Sequence, residues 1–371
     1  EKKTIEDARK TIMDTFAGKT PGTQWMPALA SVDQVLAEPV FAAVSSPNFH
    51  AAAMDGVAVK AADTFGAAET RPITLQIHET AFPVNTGHIM PEGTDAVIMI
   101  EQINWLENDR LEIEAPVYPW QNVRKMGEDV VATELVFPRH HKITPHCLGA
   151  LITAGISNVC VWKKPAVLIL PTGSELVDIT TVDPQALPKG KVLDSNSHML
   201  GRLVENCGGT YQRHDIVADE TQAIRAALEN ADTDDIDLIL ILGGSSAGSE
   251  DYARAVIEEL GSVLVHGVTM MPGKPVIAGN INEKPAFGVP GYPVSAIIAF
   301  EQLIQPILYQ MRHQAEPEAR RINAMPTRKL ASKLGVEEFI RVKLGKVGDN
   351  IVATPLPRGA GCITSFTEAD G

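Results

Sequence analysis

The stretch from Asp237 to Lys274, DLILILGGSSAGSEDYARAVIEELGSVLVHGVTMMPGK, constrains the fold more than any other part of the chain. Its opening run is apolar at successive positions, bounded by charge on one side and by Gly243-Gly244 on the other. A strand with one wet face alternates apolar and polar residues; one without alternation is buried on both faces. The chain must therefore build a sheet covered above and below. Tyr252, Val256, Ile257 and Leu260 then recur at helical spacing, so Gly243 to Glu250 joins the carboxyl end of a strand to the start of a helix. In open α/β sheets that junction is where ligands bind. Its small residues let the backbone approach an anion, and free amides at the helix start donate to it. Asp251 adds a carboxylate at the same rim, suited to a divalent cation beside phosphate oxygens.

One Gly-rich turn is equally a plain loop. A second such junction sharpens the reading: Lys284 to Ser295, KPAFGVPGYPVS, again runs from an apolar strand through a Pro-Gly turn to a helix start at Pro293. Two anion-ready helix starts on one sheet point to a ligand with more than one anionic group.

Strand and helix patterns alternate from Ala166 to about Leu308, which predicts a doubly wound α/β domain over 165–315 with a parallel sheet. Ile5, Ala8, Ile12, Met13 and Phe16 share one face of a helix, and a second helix is expected over Ser31 to Ala37, ended by Pro39. With Cys147 to Pro165 these predict a discontinuous helical N-terminal domain, 1–45 plus 139–164. Between its halves, short strands and turns predict an inserted β-rich domain, 46–138. Strand-like segments FIRVKLG and NIVATPL predict a small C-terminal β-barrel over 320–371, expected to be incomplete. At 371 residues the chain exceeds what one core organises, so two to four domains are expected, here as an α/β multidomain protein.

The formal net charge of −14, with no cluster of Lys and Arg, argues against nucleic acid or an anionic membrane as partner. Cys147, Cys160, Cys207 and Cys362 are too scattered for a disulfide framework, so reduced thiols and a cytoplasmic location are expected. The imidazoles of HHKITPH, His140 to His146, lack the paired cysteine or carboxylate spacing of a zinc site. GGSSAG lacks the spacing of a serine nucleophile.

Other short motifs gain meaning by position. TGSEL follows the first strand of the α/β region, so Glu175 falls at the rim shared with the Gly-rich turn. DSNSHML offers Asp194, Ser195 and Asn196 as helix caps or as hydrogen-bonding partners for a heterocycle. Asp55 in MDGVAV, Thr86 in NTGHIMPEGTDAV, and Glu128 and Asp129 in RKMGEDV lie in turns of the β-rich region.

Taken together, MDGVAV, TGHIMPEGTDAV, GEDV, TGSEL, DSNS, GGSSAGSEDY, PGKP and GVPGYPVSA resemble, in order and spacing and over nearly the whole chain, the MoeA and gephyrin E-domain family of molybdopterin molybdenumtransferases. The resemblance implies insertion of molybdenum from molybdate into adenylylated molybdopterin, with release of AMP and a divalent cation such as Mg2+. It also implies a homodimer with a site formed between subunits, and transient contact with a molybdopterin adenylyltransferase. By matching position, Asp55, Asp129, Glu175 and Asp251 are the expected catalytic residues, and Glu175 and Asp251 the metal ligands. Thr86, Asp194, Asn196, Asp219, Gly244, Ser246, Gly248, Lys274, Gly291 and Ser295 are the expected ligand-binding set, with Lys274 and the PGYPVS turn attracting the oxyanion. The chain departs from the family pattern at Met271, where Lys often precedes PGK, at Tyr292 for Asn, at Val57 for Tyr and at Leu242 for Ser. These changes leave tungstate as an alternative to molybdate. They also leave open a non-catalytic molybdopterin-binding or scaffold protein, and, less favoured, a nucleotide-pyrophosphate hydrolase.

Overall fold

The computed structural model describes residues 2–231, 235–243 and 252–371. The chain divides into two compact units, Glu1–Gln24 with Trp162–Gly371, and Trp25–Val161.

The larger unit begins with α1 (Ile5–Thr15), capped by the Thr4 hydroxyl, which accepts from the Asp7 amide at 3.1 Å. Its sheet and helices follow as β1 (Ala166–Pro171), α2 (Asn196–Asn206), β2 (Thr210–Arg213), α3 (Thr221–Asn230), β3 (Leu238–Leu242), α4 (Tyr252–Leu260), β4 (Gly261–His266), β5 (Ile277–Ile281) and β6 (Lys284–Val289). A long helical segment then runs through α5 (Pro293–Ala299), a π-helical turn (Phe300–Ile304) and α6 (Gln305–Met311). The six strands lie in the order β2-β1-β3-β6-β5-β4.

Side-chain alternation along the strands explains the two layers. Val167 and Ile169 of β1, with Leu238, Leu240 and Leu242 of β3, point into a core shared with α1, α2, α5 and α6. Leu168 and Leu170, with Ile239 and Ile241, point into the opposite core against α3 and α4. Each of these fully buried aliphatic side chains contributes about 1.5–3 kcal/mol. The unbroken apolar run of β3 therefore has its reason in two cores rather than one.

The structure departs from expectation in four places. Only β2, β1, β3 and β6 run parallel; β5 pairs antiparallel with both β6 and β4. The β5–β6 reversal is a two-residue turn at Asn282 and Glu283, with φ of 49° and 64°. Next, α1 does not belong to a separate helical domain: Ile5, Ala8, Ile12 and Phe16 bury into the α/β core beside the π-helical turn. Third, Ser31 to Ala37 is not a helix. Asp33 adopts φ 67°, which breaks a right-handed helix, and Val35 and Leu36 are extended, bridging to Lys142 and Val161. Last, the C-terminal strands β7 (Met325–Pro326), β8 (Val342–Val347) and β9 (Asn350–Pro355) form an open three-stranded sheet in the order β7-β9-β8, followed by α7 (Thr364–Glu368), not a closed barrel.

The smaller unit is mostly β. Gly56–Val59 lies between Ala81–Val84 and Ala96–Met99 in one antiparallel sheet, and Arg110–Ile113 lies between Ile73–Gln76 and Asn104–Leu106 in another. Val57, Val59, Leu75, Ile98, Leu111 and Ile113 close a core between them. One helix, Pro145–Thr153, packs Cys147 and Leu151 against Leu36, Val159 and Val161. Among the described residues no helix is long and apolar enough to cross a membrane.

Candidate active site

Three neighbouring parallel strands of the larger unit end level with one another: Pro171 pairs with Leu242, and Leu242 with Val289. Main-chain bonds carry the ladder one residue further, Thr172 N donating to Leu242 O at 2.8 Å and Gly243 N to Val289 O at 3.0 Å. The helix after β1 lies on one face of the sheet and the helix after β3 on the other. Loops leaving adjacent strand ends toward opposite faces open a crevice between them. A cleft of about 790 Å³ occupies this place.

Main chain forms much of its floor. Gly243 has φ +97°, and a side chain there would start 2.6 Å from the Thr172 carbonyl oxygen, so only glycine fits. The Gly243 Cα in turn lies 3.9 Å from where a Gly291 side chain would begin, which sets these two glycines side by side. Ser295, 5% exposed, sits in the first turn of α5 and also lines the cleft.

Polar side chains form the wall toward α2. Glu175 is exposed and lines the cleft, while Asp219 is half-buried and accepts from the Thr172 hydroxyl at 2.9 Å. Asp194 is 4% exposed and is held at the start of α2: it accepts from Ser197 N at 3.1 Å and from the Ser197 hydroxyl. Arg213, at the end of β2, binds Asp194 at 2.9 Å and Asp178 at 2.8 Å, and donates to Ser197 Oγ at 2.6 Å. One guanidinium thus ties the loop after β1 to the start of α2. Asp194 holds the wall in shape; its oxygens are engaged by Ser197 and Arg213. Thr180's hydroxyl and amide, then Arg213, hold the Asp178 carboxyl below the usual aspartate range. Asn196 Nδ2 donates to the Gly291 carbonyl at 2.7 Å, which joins this wall to the PGYP turn.

The expected residues are thus partly assembled. Glu175, Asp194, Asn196, Asp219, Gly291 and Ser295 all line the one cleft. Lys274 does not; Pro275 takes the place beside it. Lys274 instead lies beside Lys2, and this close like-charged neighbour lowers the Lys2 pKa. Gly244, Ser246, Gly248 and Asp251 fall outside the described residues.

Asp55, Thr86 and Asp129 belong to the smaller unit. Asp55 Oδ1 accepts from Thr86 N at 2.6 Å and from the Thr86 hydroxyl at 3.0 Å, so these two expected residues form one feature. Those bonds, the amide's first, lower the Asp55 pKa below its ordinary value of 3.8. A depressed folded pKa contributes stability that is complete above 3.8 and is lost as the pH falls through the folded value. Thr86→Val removes the hydroxyl and is expected to move the Asp55 titration midpoint upward, read by carboxyl NMR; an unchanged midpoint would leave the effect to the amide alone.

The sequence also grouped Asp129 with Asp55, and both flank one short strand pair. Ala52 pairs with Val123 and Ala51 with Arg124. Asp55 follows one end of this antiparallel pair. Asp129 follows the other end, where its amide donates to Ser46 O at 3.0 Å.

Comparison with known proteins agrees with this architecture. Residues 3–155 match a model described as the MoeA N-terminal region (domain I and II), residues 168–310 a probable molybdopterin binding domain, and residues 323–371 the MoeA C-terminal region (domain IV). A molybdopterin biosynthesis protein of Methanocaldococcus jannaschii is 35% identical over 352 residues, which span 92% of this chain and 85% of that protein. The chain belongs to the MoeA family. A MoeA protein of Pyrococcus horikoshii has a solved structure that superposes with a TM-score of 0.85 at 31% identity, covering 100% of this chain and 94% of that one. Another MoeA relative, the molybdopterin molybdenumtransferase of Haemophilus influenzae, is 29% identical over 91% of this chain and 85% of its own length.

Sequence reasoning missed several contributors to the cleft. Gly361 and Ile363 reach it from the C-terminal segment, and no local motif marks them. Thr172, which holds Asp219, was within reach: it is the first residue of TGSEL and follows directly on β1.

Proposed function

We propose that this chain is a molybdopterin molybdenumtransferase of molybdenum cofactor biosynthesis, which takes molybdenum from molybdate into adenylylated molybdopterin and releases AMP. The observation that carries the reading is the cleft at the level ends of β1, β3 and β6. There a main-chain floor and a helix start suit phosphate and oxyanion groups, beside the carboxylates of Glu175 and Asp219.

In this reading the ligand's pyrophosphate link lies over the main-chain floor. Asn196 and the first turn of α5 hold its position, and the apolar side chains of Leu176 and Leu193 exclude water from one side. Glu175 and Asp219 are hard oxygen donors of the kind Mg2+ takes. Among the described residues no group of three acidic, His or Cys side chains could hold a metal by itself. An ion that keeps waters and shares phosphate oxygens needs only one or two protein carboxylates, and Glu175, exposed in the cleft, fits that role. Asp251 is the second ligand in this assignment. When bound, the ion would supply charge neutralisation on the phosphates.

The working form in this proposal is a cytoplasmic homodimer in which Asp55, Thr86 and Asp129 come from the second subunit. The pterin is handed over in transient contact with the adenylyltransferase that makes it. The test is AMP release from adenylylated molybdopterin with Mg2+, comparing no oxyanion, molybdate and tungstate while metal incorporation is followed. Molybdate-stimulated release with incorporation is expected. Preference for tungstate would rename the metal, and tight binding without release would make the chain a pterin carrier.

A further inference from the structure

We propose that Tyr292 is the platform on which the flat heterocycle of the ligand stacks, an inference that rests on reading the cleft as the site of an adenylylated pterin. Tyr292 lines the cleft and is nevertheless 67% exposed. Its backbone is fixed from every side. Pro290 and Pro293 flank the Gly291-Tyr292 pair, Asn196 Nδ2 holds the Gly291 carbonyl at 2.7 Å, and the Tyr292 carbonyl accepts from Ala296 N at 2.9 Å. Along one edge the ring meets the C-terminal segment at Gly361, where an added side chain would start 3.6 Å from Tyr292 Cδ1. Val294 N, donating to the Ala360 carbonyl at 3.0 Å, anchors that segment.

A ring held on so rigid a turn gives up little freedom when a ligand covers it, so its apolar area is available for binding. The rest of the wall suits a flat partner. Leu176, Val192, Leu193 and Ile363 bring aliphatic surface to the same cleft. Stacking tolerates any planar π-system, and both the adenine and the pterin of the ligand qualify.

Isothermal titration of the full chain with AMP and with adenylylated molybdopterin, for wild type, Tyr292→Ala and Tyr292→Phe, tests this. Tyr292→Ala is expected to weaken binding about tenfold, and Tyr292→Phe to bind as wild type. Because the ring is exposed, neither change should alter the melting temperature. Weakening in both titrations assigns the stack to adenine; weakening with the pterin ligand alone assigns it to the pterin, and either result supports the platform. Equal affinities for Tyr292→Ala and wild type would overturn the stacking role alone. An equal loss in Tyr292→Phe would overturn it in favour of the hydroxyl. A wild-type chain that binds neither ligand would overturn the function reading, and this inference with it.

Discussion

Glu175→Gln is expected to slow molybdenum incorporation by about 100-fold or more while leaving the melting temperature within about 1 °C of wild type. The activity figure is that for removing one electrostatic group from a preorganised site. The stability figure follows from exposure: Glu175 is a surface residue on the loop after β1, and glutamine keeps its size. Glutamine also keeps a carbonyl oxygen but loses the charge. The Mg2+ concentration giving half-maximal AMP release should therefore rise even where some turnover survives. Wild-type turnover with an unshifted Mg2+ midpoint would remove Glu175 from both roles.

Arg213→Met is expected to lower stability by about 3–5 kcal/mol, or roughly 10 °C in melting temperature for a unit of this size. Arg213 and Asp178 have side chains 17% exposed, and that of Asp194 is 2% exposed. Methionine preserves much of the packed stem and removes the positive head, which leaves the Asp194 carboxylate buried with only Ser197 to satisfy it. The size of the effect comes from that stranded charge more than from the ion pair itself. Arg213→Met combined with Asp194→Asn should therefore recover part of the loss, as differential scanning calorimetry of the two variants would measure. A single variant melting within 1 °C of wild type would mean that the latch contributes nothing.

How much of this could be read beforehand depended on the kind of information each residue carries. The apolar run of β3 declared a doubly covered strand because nothing but two cores tolerates it, and the Gly-Gly that follows marked the strand end. In α1 the apolar face was visible, but an amphipathic stripe does not say which core it will join, and it joined the α/β core. Lys274 illustrates a finer limit. Its neighbour Pro275 lines the cleft and Lys274 does not: both sit in the turn between Met271 and Ile277, and a motif does not reveal which side chain of a turn points inward. Asp55 and Asp129 both sit in turns that read as functional, yet the strand pair that each of them follows rests on a register no local pattern contains. Arg213, Gly361 and Ile363 were invisible for the same reason: their neighbours are far away in sequence.

The level ending of β1, β3 and β6 has one more consequence. The sheet ladder fixes the floor through peptide groups, while Glu175 and Tyr292 stand on exposed turns and carry little of the fold's stability. Foldability and ligand choice are therefore written in different residues. Such a scaffold can be retargeted, by selection or by design, through its turns alone, because exchanging a rim side chain alters what is bound without asking the strands beneath to move.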